Sequence, residues 1–107
     1  SYFFNDEFPF DEKGGQRLFK KGEPLERLKE VEAALSAVET WDAESLNQAF
    51  ADLAISQGQE KPFAWFPVSR FSVSGTSGGP DLIPMLAMMG RERVLQRMEA
   101  FPGRYTG

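Results

Sequence analysis

Arg70 stands in a stretch that is otherwise apolar or small: Phe66-Pro67-Val68-Ser69-Arg70-Phe71-Ser72-Val73-Ser74-Gly75. A planar guanidinium in such a setting has two uses. It can lie over its apolar neighbours with its head in water. It can also present a rigid donor fork to a base edge or a phosphate, beside proline and aromatic surfaces on which a base stacks. The glycine-rich run Gly75-Thr76-Ser77-Gly78-Gly79-Pro80 follows and leads into a helix. Backbone amides there could face an anion. The lysine that completes a phosphate-binding loop is missing, so the run fails as a nucleoside-triphosphate site. It remains either a connector or a loop that a nucleotide approaches closely. Arg91, Arg93 and Arg97 form a third basic group near the last helix. They can pair with Glu92 and Glu99 or contact phosphates.

Catalytic chemistry is poorly supplied. The chain has no histidine and no cysteine. The commonest general base, the commonest neutral metal ligand and the thiolate nucleophile are therefore all absent. Glu30/Glu32 and Glu92/Glu99 read as solvated helix faces rather than acid–base pairs. No catalytic residue is assigned to this chain, and no cofactor.

These groups need elements to hold them. With 107 residues, 41% hydrophobic, one domain spanning 1–107 is expected, with a core of its own. No apolar run approaches the roughly 20 residues of a membrane span. The net charge is −4. Residues 1–61 hold 7 basic and 13 acidic side chains, whereas residues 62–107 hold 5 and 3. A polyanion would thus meet the C-terminal half.

Asp11 can cap a short helix to about Lys20. A second helix starts with Pro24 in its first position, and Leu25, Leu28, Val31, Leu35 and Val38 form its apolar stripe. Asp42 caps a third helix that buries Leu46, Phe50, Leu53 and Ala54 and stops at Gly58, with Trp41 placed to form a hydrophobic staple with Leu46. Residues 66–75 fit a strand or a short helix, and periodicity does not arbitrate so short a stretch. A helix from Pro80 or Asp81 carries Leu82, Ile83, Leu86 and Met89. The last runs from Gly90 to about Phe101, with a frayed tail beyond. Five helical segments give an all-α bundle. The Phe-rich opening (Tyr2, Phe3, Phe4, Phe8, Phe10) packs on the core or docks on a neighbour, and Met85, Met88 and Met89 fill core gaps or line a peptide groove. A helical protein-interaction module using either surface is the alternative reading.

The ordered series Trp41-Asp42-Ala43-Glu44, then Pro67 to Gly75 with Arg70 inside it, then Pro80-Asp81-Leu82, then Gly90-Arg91-Glu92-Arg93, resembles the C-terminal anticodon-binding region of bacterial-type glutamate–tRNA ligases. The resemblance implies a helical cage, and so makes 66–75 a helix. It implies that Arg70, Gly79, Pro80 and Leu82 hold bases of the tRNA-Glu anticodon loop. It further implies that this is a module of a longer cytoplasmic ligase, whose separate catalytic domain, a second partner of this chain, binds ATP and Mg. DNA and membranes are not expected partners. Three departures stand out. Ser69 is an extra residue between Pro67 and Arg70, Phe71 replaces a small residue, and Gly79 stands where a polar side chain is usual.

Overall fold

The computed structural model describes residues 10–20, 23–76 and 81–104. Its elements are α1 (Glu12–Lys20), α2 (Pro24–Ser36), α3 (Ala43–Ser56), a 3₁₀ turn (Pro62–Trp65), α4 (Phe66–Ser74), α5 (Leu82–Met89) and α6 (Arg91–Arg104). The described residues are all-α, with six helices rather than five. The sixth is the 66–75 block, and the strand reading of that block is excluded.

The helix starts follow their sequence signals. The Asp11 carboxylate accepts the Gly14 amide at 2.9 Å, and Asp42 accepts the Ser45 amide at 2.8 Å. Each satisfies a donor that has no intrahelical partner. Pro24 sits where its missing N–H costs nothing. α3 ends with Gly58 at φ 77°, where Gln59 N–H donates to Ala54 O at 2.8 Å and Gly58 N–H to Ile55 O at 3.0 Å. Those two bonds and the left-handed glycine make a Schellman stop.

α2 is the central element and packs against α3, α4 and α6. Its Leu28, Val31 and Leu35 meet Leu46 and Phe50 of α3, Val68 and Phe71 of α4, Leu86 of α5, and Val94, Met98 and Phe101 of α6 in one buried cluster. Each fully buried side chain of this size contributes roughly 1.5–3 kcal/mol. Three rings drawn from distant parts of the chain close it: Phe10 lies 5.5 Å from Phe71 and 5.5 Å from Phe101, and Phe71 lies 5.8 Å from Phe101.

Some expectations change. α6 continues through Pro102 to Arg104 instead of fraying after Phe101. Met85 and Met89 pack against the core, but Met88 is 87% exposed and fills no gap. Trp41 is anchored through its indole N–H, which donates to Leu86 O at 2.9 Å. The 3₁₀ turn had no reading in the sequence. It buries Trp65, whose N–H donates to Glu30 Oε1 at 2.9 Å. Tyr2, Phe3, Phe4 and Phe8 lie outside the described residues.

Candidate nucleic-acid interface

The site rests on α4. Val68, Ser69, Phe71, Ser72 and Val73 are buried and Phe66 packs half-buried against the core, which leaves Pro67, Arg70 and Ser74 on the remaining face. Spacings of three and four put these three on one side of a helix. Pro67 is exposed and Arg70 half-buried. The two serines inside the core are not unpaired polar groups. Ser69 Oγ donates to Trp65 O at 2.7 Å and Ser72 Oγ to Ser69 O at 2.9 Å. The extra residue between Pro67 and Arg70 is thus a small one that fits an interior position and satisfies its own hydroxyl.

The end of α4 is fixed from two sides. Gly75, at φ 78°, lets the chain leave the helix left-handed, and its amide donates to Phe71 O at 2.8 Å. Its carbonyl accepts the Asp11 amide at 2.6 Å. Arg97 Nη1 reaches from α6 to Val73 O at 2.7 Å. Those contacts occupy carbonyls that the helix end leaves without intrahelical donors. Arg91 similarly turns inward. Its Nη2 donates to Glu39 O at 3.0 Å and its guanidinium lies 5.6 Å from the Trp41 ring centroid. Arg91 and Arg97 therefore brace the fold, in a role the sequence did not reveal.

Of the other residues singled out, Gly79 and Pro80 lie outside the described residues. Leu82 is only 3% exposed, so its side chain belongs to the core. Its amide remains at the first turn of α5, and the Asp81 side chain makes no cap bond there.

Among the described residues, Glu30, Glu39 and Asp52 border an open groove between α2 and α3, but no three acids stand close enough together to hold a metal ion. The Glu32 carboxyl is raised above its ordinary value by partial burial and by Glu99, with Lys29 opposing. Glu30 accepts from Trp65. The best-formed hollow, about 320 Å³, lies between α1, α2 and α4 and contains no carboxylate among its described lining residues.

A family model described as an anticodon binding domain matches residues 1–102. The chain belongs to the anticodon-binding domain family. This domain is similar to part of the glutamate–tRNA ligase of Deinococcus radiodurans, at 38% identity over 98 residues, and to part of one from Thermus thermophilus, at 34% over 98 residues. Each alignment covers 92% of this chain and 20% of the relative. A solved glutamate tRNA ligase from Elizabethkingia meningosepticum matches with a TM-score of 0.77 and 25% identity, over 92% of this chain and 19% of that one. The anticodon-binding domain thus spans about a fifth of the length of the relatives it matches. These findings favour the nucleic-acid reading of the sequence over a protein-interaction module.

Proposed function

We propose that this domain grips the anticodon loop of tRNA-Glu on behalf of a glutamate–tRNA ligase. Arg70 contacts an extruded base, and Gly79, Pro80 and Leu82 supply further contacts to the anticodon loop. The observation that carries this reading is the face of α4, where Arg70 stands one turn from exposed Pro67 on a helix whose far end is held by Gly75 and Arg97. Single-stranded RNA loops are read by splaying bases onto apolar surfaces beside polar edges. A donor fork on a fixed helix supplies such an edge at low cost in conformational entropy. Leu82 contributes through the backbone of the helix start rather than through its buried side chain. Glutamate activation, with ATP and Mg, takes place in another domain of the parent ligase, in the cytoplasm.

The test is the dissociation constant for tRNA-Glu in the full natural chain. Arg70→Ala weakens binding by about 1–3 kcal/mol, the scale of one good base contact. An unchanged constant removes Arg70 from the interface. A tRNA-Glu transcript with a replaced anticodon should bind wild type more weakly, and the Arg70→Ala variant should discriminate less between the two transcripts.

A further inference from the structure

The hollow between α1, α2 and α4 has no part in the surface described so far, except that Pro67 is common to both. Gly14, Leu18, Pro24, Ala64, Pro67, Val68 and Phe71 line it with apolar surface, and Arg17 and Arg27 complete its wall. Its volume, about 320 Å³, falls at the small end of ligand sites, which run from roughly 300 to 1,000 Å³. One planar ring with its sugar fits such a space.

The charges are the telling part. α1 and α2 belong to the acid-rich half of the chain, yet no acid lines this hollow among the described residues. Neither the Arg17 nor the Arg27 guanidinium bonds to another described residue. An apolar side chain from a protein neighbour would cover two cations without giving them an acceptor, which is costly. A nucleotide brings both complements in one unit: a flat apolar face for the floor and an anionic phosphate for the rim. Pro67 is the shared wall, three residues before Arg70 on α4. A strand that places one base against Arg70 therefore passes the mouth of the hollow.

We propose that this hollow receives a second nucleotide of the same RNA loop, its base against Leu18, Ala64 and Pro67 and its phosphate between Arg17 and Arg27. The assignment rests on the anticodon-loop reading above. It adds α1 and the start of α2 to the binding surface, and it places positive contacts in the half of the chain whose net charge argues against them.

The experiment uses the full natural chain and a tRNA-Glu transcript, with folding of each variant checked by circular dichroism melting. Arg17→Ala/Arg27→Ala removes both cations. The dissociation constant then rises on the order of tenfold or more, the scale of a charge-assisted hydrogen bond. The one phosphate they hold is no longer neutralised, so the slope of log affinity against log salt becomes shallower by about 0.7, the single-strand value per phosphate. Ala64→Phe keeps the charges and fills the hollow. It weakens binding while leaving the salt slope alone. Leu18→Phe takes its place if Ala64→Phe lowers the melting temperature. An unchanged constant in the double variant, with Arg70→Ala still weakening binding, overturns the assignment and leaves the hollow to a protein neighbour. A weakened double variant with unaffected filled variants also overturns it, since the arginines then act from the rim alone. If neither the double variant nor Arg70→Ala changes binding, the anticodon-loop reading falls with it.

Discussion

Phe71 joins the core to the proposed RNA face, and its truncation gives the sharpest test of how α4 is held. The residue is 1% exposed and follows Arg70 directly. Its ring lies 5.5 Å from Phe10 at 31° and 5.8 Å from Phe101 at 83°, both within the range of favourable aromatic pairs. Phe71→Ala removes a large buried ring between two others that are themselves fixed, so the cavity closes poorly. Truncations of this kind cost about 3–5 kcal/mol. A domain of this size has roughly 5–15 kcal/mol in total, so the variant sits near the edge of folding and its melting temperature drops on the order of 15–25 °C. Phe71→Leu separates the contributions. It keeps most of the apolar area and loses two ring pairs worth about 0.5–1.5 kcal/mol each. Urea unfolding followed by tryptophan fluorescence measures both, because Trp65 is buried at one side of the same cluster. A Phe71→Ala variant within about 1 kcal/mol of wild type would show that α4 is not packed as described, and the fixed geometry assigned to Arg70 would lose its support.

Gly75→Ala places a Cβ at φ 78°, which costs about 1–2 kcal/mol, and it loosens the helix end that Asp11 and Arg97 hold; urea unfolding and tRNA affinity should both weaken, and an unaffected midpoint would contradict the left-handed stop. Stability against pH carries two opposite signs. The Asp42 carboxyl is lowered, chiefly by the Ser45 amide, so its contribution is present above its ordinary carboxylate value and is lost as pH falls through the native one. Asp42→Ala flattens that acid limb in a series of melts, and a limb of unchanged steepness would argue against the cap. The Glu32 carboxyl is raised, so its charged form is the one disfavoured in the native state: the contribution is present below its unfolded value and is lost as pH rises through the native one. Glu32→Gln therefore stabilises at neutral pH by up to about 0.5 kcal/mol, screened because much of the group is in water, and the gain disappears in acid; a loss at neutral pH would reverse the assigned sign.

The sequence was most legible where one local signal dominated. Asp42 as a cap, Pro24 in a first turn and the Leu28–Val31–Leu35 stripe each specify an element without help from the rest of the chain. α4 was harder for a physical reason. Its serines make the pattern look alternating, but Ser69 and Ser72 are buried and satisfy their hydroxyls on nearby backbone carbonyls. Polarity there does not mark the solvent side. Met88 misled in the opposite sense, an apolar residue that the helix turns outward. Within the candidate site, Arg70 could be singled out because its neighbours are small and apolar. The tasks of Arg91 and Arg97 could not, since their acceptors at Glu39 and Val73 lie 52 and 24 residues away. The hollow was equally illegible, being assembled from three separate helices and a turn that no periodicity announces.

The phenylalanine triad has a consequence for how the domain is made. Phe10, Phe71 and Phe101 come from the first, middle and last parts of the chain. A nascent polypeptide that has reached only α5 lacks Val94, Met98 and Phe101, and α2 and α4 each keep a bare apolar side. Synthesis from the N-terminus therefore cannot complete this domain piece by piece. Its closure waits for the last fourteen-residue helix to leave the ribosome, and until then the surface that α6 will cover is the one a chaperone would meet.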